Sequence, residues 1–301
     1  MMKRLLLPCC LATALYSSHT PADDTPLQLV RLEHGAVSAH SPTADIWRSL
    51  NPKKLKLRSA AALVLDDDGN EVYAKDVDQA LPIASITKLV TAMVILDAGL
   101  PLQEKIRITR DDRDLIQLTG SRLTSGATLT RKQLLQLALM SSENRAANAL
   151  ARSWPQGKDD FVRAMNTKAA ELGMHASRFT DPAGLDAGNV ATPRDIAKMV
   201  HAAMQYPLIR KATTTRSISV YPWKGRGPLR YSNTNRLLKN NAWEIQLSKT
   251  GYLNEAGRCL VMQVEIAGQP LVIVLLNSFG KLTPFGDSNR IRKWIESGTG
   301  S

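Results

Sequence analysis

The chain has 301 residues, 44% of them apolar and only 5% aromatic, which is enough for a sizeable core and excludes a wholly disordered protein. Its 39 Lys+Arg against 27 Asp+Glu give a formal charge of +12, which points to polyanionic surroundings and says nothing of the fold. The bases are scattered, without zinc-finger spacing, an arginine-rich arm or an aromatic-plus-basic pattern, so no nucleic-acid partner is expected.

The first segment has the build of an export signal. Lys3 and Arg4 precede a mostly apolar run from Leu5 to Tyr16, and small or polar residues lead to Thr20-Pro21-Ala22, where a signal peptidase is expected to cut. The run is too short to span a bilayer, which takes about 20 residues. Cys9 and Cys10 follow Leu7-Pro8 rather than small residues, so a lipid box is not expected. Loss of residues 1–22 removes Lys3, Arg4 and no acid, leaving +10, with Cys259 as the sole thiol. Next to apolar Leu260 and Val261, Cys259 reads as buried packing rather than a nucleophile.

From Asp23 to Arg58 the chain is polar and ends in the basic run Lys53-Lys54-Leu55-Lys56-Leu57-Arg58; it is expected to be a flexible lead-in (23–58) before a folded domain over 59–301. Two strand-like runs, 61–65 and 71–74, flank a Gly69-Asn70 turn and predict a hairpin. Residues 83–98 carry Ile83, Ile86, Leu89, Val90, Met93, Val94 and Leu96 at helical spacing and stop at Gly99-Leu100-Pro101. Apolar residues lie nearly all round that helix, which places it inside the protein. A second helix opens with Thr130 and Gln133 as a capping box and runs to Met140. Polar Ser141-Ser142-Glu143-Asn144 interrupts it, and helical pattern then resumes to Trp154-Pro155. Further helices are expected at about 158–172 and from Pro193 to about 205, the latter capped by Thr192. A Gly/Pro/Arg-rich connection covers about 211–242. Strands follow at 243–247, 258–266 and 271–276, and a helix at about 288–296 presents Ile291, Trp294 and Ile295 on one side. Strands at both ends with helices between them predict an α+β fold, one antiparallel sheet built from the two termini around a helical insertion.

Few of the usual catalytic signatures are available. Three of the five His, at 19, 34 and 40, precede the folded region, and Gly-x-Ser-x-Gly, His-Glu-x-x-His and glycine-rich phosphate loops are missing. Neither a metal nor an organic cofactor is called for. Ser85-Ile86-Thr87-Lys88 offers another way to activate a nucleophile, because residues i and i+3 share a helix face and Ser85 sits in the first turn. Lys88 can take the Ser85 proton only if burial and a second cation lower its pKa. Ser278-Phe279-Gly280-Lys281 fits the same spacing but follows a strand and lacks helical geometry. Ser142-Glu143-Asn144, in the break between helical stretches, can point a hydroxyl and a carboxamide into a cleft, although Ser49-Leu50-Asn51 shows how loose that pattern is. Lys249-Thr250-Gly251 follows a strand, and its Gly allows close backbone approach.

The three motifs in this order are those of penicillin-binding proteins and class A β-lactamases. Residues 137–147, Arg178-Phe179 with Pro182-Ala183-Gly184-Leu185, Asn233-Thr234-Asn235 and residues 243–251 resemble the low-molecular-mass D-alanyl-D-alanine endopeptidases of the penicillin-binding protein 7 type, serine peptidase family S11. The likeness runs from about residue 50 to the end. It implies the β-lactamase/transpeptidase-like fold, with a helical subdomain against the sheet, and a serine DD-peptidase acting on peptidoglycan stem peptides in the periplasm, with β-lactams as covalent inhibitors. Peripheral association with murein or the envelope fits the basic charge. By resemblance Ser85 is the nucleophile, Lys88 its base, and Ser142 the relay to the leaving amine. Asn144 positions the substrate amide, Lys249, Thr250 and Gly251 hold the carboxylate beside the scissile bond, and Asn235 lines the cleft. The backbone N–H groups of Ser85 and Tyr252 receive the oxyanion. Glu143 departs from the Asp of β-lactamases and the Gly of many DD-carboxypeptidases, in keeping with the endopeptidase subgroup. No Glu-x-x-x-Asn element stands ready to activate a deacylating water, so slow deacylation of penicillin is expected. DD-carboxypeptidase is the close alternative; a β-lactamase or a non-catalytic murein-binding protein is remote.

Overall fold

The computed structural model describes residues 46–299; the expected signal peptide and residues 23–45 of the lead-in lie outside them. The sheet is five-stranded and antiparallel, in the order β2-β1-β11-β10-β9. Its strands are β1 (Ala61–Asp66), β2 (Glu71–Lys75), β9 (Glu244–Leu253), β10 (Gly257–Ile266) and β11 (Gln269–Ser278). β1 pairs with β11 from Ala61↔Leu276 to Asp66↔Leu271, so the two ends of the folded chain close one sheet, as the sequence predicts. Both faces are covered, which explains why β10 and β11 read as apolar runs without alternation. Odd and even positions nevertheless part company. Leu63, Val261, Val274 and Leu276 belong to the core shared with the helical subdomain. Val64, Met262, Ile273 and Leu275 belong to a second core under the last helix, α7 (Thr283–Thr299), whose Ile291, Trp294 and Ile295 they meet.

That second core also takes in residues expected to be flexible. Trp47, Leu50 and Leu55 are buried in it, Trp47 Nε1 donates to Asp66 Oδ2 at 2.8 Å, and Trp294 Nε1 donates to the Asn51 carbonyl at 3.0 Å. The Asp287 carboxylate accepts from the N–H groups of Arg58 and Ser59. The end of the lead-in, from Trp47 on, is therefore packed into the fold. Three isolated apolar side chains at irregular spacing give no periodic signal, although each buries about as much as a core leucine or more.

Between β2 and β9 comes the helical subdomain: α1 (Lys88–Asp97), α2 (Arg131–Met140), α3 (Asn144–Arg152), α4 (Lys158–Glu171), α5 (Pro193–Ala203) and α6 (Pro207–Thr214). α1 is buried at every position from Lys88 to Ile95, in accord with its all-round apolar pattern. The Thr130–Gln133 capping box opens α2, and the Thr192 hydroxyl caps α5. Short pairs stand beside the main sheet: β3 (Leu81–Pro82) with β6 (Val190–Ala191), β4 (Lys105–Arg107) with β5 (Thr128–Thr130), and β7 (Ser217–Val220) with β8 (Leu229–Ser232). The stretch 211–242, read as a connection, in fact completes α6 and holds the β7–β8 hairpin. Its alternating bases and short apolar pieces resemble loop composition, and only packing against the subdomain selects the strand form.

Candidate active site

Ser85 enters the site on a 3-10 turn, Ala84–Thr87, which runs directly into α1. Side chains at i and i+3 eclipse in a 3-10 turn, so Ser85 and Lys88 stack more closely than in an α-helix. Ala84, just before the serine, has φ +48°, a left-handed conformation that costs a residue with a Cβ about 1 kcal/mol. The cost is met by contacts that hold the turn. Thr87 Oγ1 donates to the Ala84 carbonyl at 2.8 Å. A Cβ on Gly184 (φ +71°) would lie 1.9 Å from that same carbonyl oxygen, so only glycine lets the 181–189 loop close over the turn. The buried Asp181 carboxylate organises this loop by accepting from the N–H groups of Ala183, Leu185 and Asp186, and Thr91 Oγ1 ties it to α1 through the Pro182 carbonyl at 2.6 Å.

The Lys88 amine is wholly buried. It lies 2.7 Å from Ser85 Oγ, 2.8 Å from Asn144 Oδ1 and 2.5 Å from the Ala183 carbonyl oxygen. Burial lowers its pKa to about 7, against the pull of the Asp181, Glu143 and Asp114 charges. Asn144, at the start of α3, is itself oriented, because its Nδ2 donates to Thr119 Oγ1 at 2.9 Å and Thr119 Oγ1 donates to Asp114 Oδ2 at 2.6 Å. Burial pushes the Asp114 carboxyl up, but hydrogen bonds from Thr119, Gln117 and Ile116 together outweigh it and hold the pKa below the ordinary value.

Ser142 sits where α2 ends. The N–H groups of Ser141 and Glu143 both reach the Leu137 carbonyl, and Ser142 between them adopts φ +59°, so the chain reverses there before Glu143 caps α3. The predicted polar break is thus a left-handed corner that lifts Ser142 Oγ toward Lys249. Lys249 Nζ donates to it at 3.0 Å and to the Thr250 carbonyl at 2.8 Å. Lys249 is 1% exposed, and burial, followed by the nearby Lys88 charge, holds its pKa well below the ordinary lysine value.

Lys249-Thr250-Gly251 lies inside β9, not after it, since the strand continues to Leu253. β9 is the edge of the sheet, and its polar stretch faces a neighbour other than a strand. A Cβ on Gly251 would stand 2.9 Å from the Ile83 carbonyl and 3.1 Å from Ser85 N, so the glycine lets the edge pass beside the serine turn. Ser85, Ser142, Asn144, Thr250, Gly251 and Tyr252 all line one open cleft of about 360 Å³. The residues predicted for the site therefore converge, with one exception. Asn235 is buried, its Oδ1 accepts from Leu237 N at 2.9 Å as the cap of a short turn, and its Nδ2 meets Met262 Sδ. It points away from the cleft, because neighbours in extended backbone face opposite ways. Thr234 takes its place, with Oγ1 2.6 Å from Thr250 Oγ1. The Ala183 carbonyl, Asp181, Thr119 and Thr234 are further contributors that motif reading assigned no role. Cys259 is buried, with burial raising its thiol pKa to about 11, as a packing cysteine requires.

The arrangement is a hydroxyl held against a buried amine of lowered pKa, with a second lysine–serine pair across the cleft, on a β-lactamase/transpeptidase-like fold. The structure of the Streptomyces K15 DD-transpeptidase matches it with a TM-score of 0.74 and 26% identity, over 80% of this chain and 98% of that one. The family described as D-alanyl-D-alanine carboxypeptidase, peptidase S11, matches residues 48–280, and the chain belongs to this family. Among its relatives, the D-alanyl-D-alanine endopeptidases of Pseudomonas aeruginosa and Escherichia coli are each 45% identical over 264 residues, covering 87% of this chain and 84% of those proteins.

Proposed function

We propose that the protein is a serine DD-endopeptidase that hydrolyses D-alanyl cross-links between peptidoglycan stem peptides through an acyl-enzyme on Ser85. The observation that carries this reading is the set of three contacts on the Lys88 amine. An ammonium has three donors, whereas a neutral amine has two N–H groups and a lone pair. Asn144 Oδ1 and the Ala183 carbonyl are acceptors only, so they take both N–H groups of a neutral Lys88 and leave the lone pair to Ser85 Oγ. With the pKa near 7, a substantial fraction of the amine is neutral at neutral pH.

Ser85 Oγ then bonds to the D-alanyl carbonyl carbon as its proton passes to Lys88. The carbonyl electron pair moves onto oxygen, received by the backbone N–H groups of Ser85 and Tyr252, an arrangement worth about 3 kcal/mol per donor. Collapse breaks the C–N bond while the proton held by Lys88 is relayed through Ser142 to the leaving amine. Water later attacks the ester carbon and Ser85 regains its proton. The second N–H of Asn144 Nδ2, which has no acceptor among the described residues, holds the substrate amide, and Thr250 with Lys249 holds the carboxylate beside the scissile bond. Penicillins acylate the same serine, and their adduct turns over slowly.

Likeness to the two endopeptidases supports cross-link cleavage over trimming of a terminal D-Ala. Residues 1–22 are the proposed export signal, which sends the chain to the periplasm, where its basic surface favours contact with murein. Among the described residues no helix is long and apolar enough to cross a membrane. Mass spectrometry of products tests the reading, using residues 23–301 and Ser85→Ala with purified cross-linked dimers and pentapeptide monomers. Dimers converted to monomers only by the intact serine are expected. Loss of D-Ala from pentapeptide with dimers untouched would make the protein a carboxypeptidase.

A further inference from the structure

The cleft that holds Ser85 is lined by three cations, Arg236, Arg258 and Lys281, and by no carboxylate. None of the three has an ion-pair partner among the described residues. Arg258 differs from the others in being fixed in place. It lies opposite Tyr252 in the β9–β10 register, with its guanidinium carbon 3.6 Å from the centroid of the Tyr252 ring. The Tyr252 hydroxyl donates to Asn254 Oδ1 at 2.8 Å, which holds the ring. On its other side β10 slips register against β11 between Arg258 and Leu260, and an irregularity of this kind re-aims a side chain. Stacking engages the flat face of a guanidinium and leaves the donors along its edge free. No acceptor for those donors is present among the described residues. A planar fork of free donors in a cleft without acids is the complement of a carboxylate.

Its place along the strand gives the side. Thr250 precedes Gly251 and Tyr252 follows it, and the proposed reaction puts the leaving-side carboxylate at Thr250 and the carbonyl oxygen at Tyr252 N–H. Arg258, opposite Tyr252, therefore stands on the acyl side. We infer that Arg258, seated on Tyr252, is a specificity residue that receives a free carboxylate of the stem peptide on the acyl side of the scissile bond. Lys281 adds positive charge to the same cleft. The inference rests on the DD-peptidase reading above.

The test uses two cross-linked dimers that differ only in the side-chain carboxyl of the diamino acid preceding the scissile D-Ala, free in one and carboxamide in the other. Wild-type protein is expected to cleave the acid form with about tenfold higher kcat/KM, the loss of one charge-assisted bidentate contact. In Arg258→Gln the ratio should fall to within about twofold of unity, and Arg258→Lys should recover part of it, because a point charge replaces the fork. Equal rates in wild type, or a preference that survives in Arg258→Gln, would overturn the inference. A penicillin mass adduct on wild-type Ser85 tells that failure apart from failure of the underlying reading, which predicts the adduct whatever the dimers do.

Discussion

Two buried lysines lie beside the cleft, each against a serine that lines it, and their surroundings differ. Each amine lies within hydrogen-bond reach of a serine hydroxyl, Lys88 of Ser85 and Lys249 of Ser142. Burial depresses both. Around Lys88, however, Asp181, Glu143 and Asp114 push back and leave it near 7, where it can both accept and release a proton. Lys249 has no such opposition, and the charge of Lys88 lowers it further. Its charged form is thus the less supported of the two by the protein itself. A substrate carboxylate beside Thr250 favours the ammonium, since an opposite charge at close range stabilises the charged form. The surroundings thus oppose the depression at Lys88 and deepen it at Lys249, which fits the proposed division between proton transfer and carboxylate binding.

The comparison breaks first at Lys88→Arg. Arginine keeps the positive charge and the donors but cannot be neutral, so it removes only the proposed base. Penicillin acylation of Ser85 is expected to fall about 10³-fold or more, within the range for loss of a general base. Lys249→Arg keeps what the second lysine is proposed to supply, a cation beside the carboxylate, and should lose only about tenfold, mainly in KM. Similar losses in the two variants, measured side by side by stopped-flow acylation, would show that the lysines do not divide the work this way.

Gly184→Ala strikes the Lys88 side through the backbone. The added methyl meets the Ala84 carbonyl at 1.9 Å, in a conformation with φ +71°. Left-handed strain and overpacking together are expected to cost about 2–5 kcal/mol, seen as a lowered thermal midpoint. They should also displace the Ala183 carbonyl from Lys88, so acylation should fall further than the loss of folded protein accounts for. A variant that keeps wild-type acylation per folded molecule would show that this carbonyl does not orient the amine.

Titration sharpens the same comparison with a smaller effect. Acylation needs neutral Lys88, so its rate should climb as pH rises through about 7 and level off above. Glu143→Gln removes a charge that raises the Lys88 pKa, and the rising limb should move to lower pH. Acylation at roughly pH 6 should then gain relative to acylation at roughly pH 8. Movement of the limb to higher pH would contradict the assigned origin of the shift. Stability carries the matching sign. The folded pKa lies below that of an unfolded lysine, so the unfolded chain binds more protons between the two values, and Lys88 makes stability rise with pH from about 7 upward.

Much of this was readable from residues alone where pattern and chemistry coincide. The all-round apolar residues of 83–98 announced a buried helix, and a lysine on such a helix is depressed by burial wherever it points. The Thr130–Gln133 box and the polar corner at 141–144 were legible because caps and breaks are local. What the sequence left hidden depends on contacts between distant segments. Trp47, Leu50 and Leu55 have no period of their own and become core only because α7 and the sheet offer a surface. Composition ends β9 at Leu247 because Ser248-Lys249-Thr250-Gly251 lacks strand character, yet the edge strand runs on to Leu253 beside the Ser85 turn. The Ala183 carbonyl is a backbone atom, and nothing in a side-chain motif identifies it.

The one misplaced site residue yields the smallest and most local prediction. Asn233-Thr234-Asn235 offers two carboxamides around a threonine, and side-chain chemistry alone favours an amide as the cleft-lining group. In the fold Asn235 caps the 236–239 turn from within the second core, while Thr234 meets the Thr250 hydroxyl in the cleft. Asn235→Ala should therefore cost about 1 kcal/mol of stability, the usual loss of an N-cap, and leave kcat/KM of the folded protein nearly unchanged. Thr234→Val keeps the shape and removes the hydroxyl, so stability should hold while KM for carboxylate-bearing substrates rises by roughly threefold to tenfold, as one hydrogen bond is lost. Thermal melts and steady-state kinetics on the pair decide the matter. If Asn235→Ala carried the kinetic loss and Thr234→Val the stability loss, the residues would have exchanged the places that the backbone gives them.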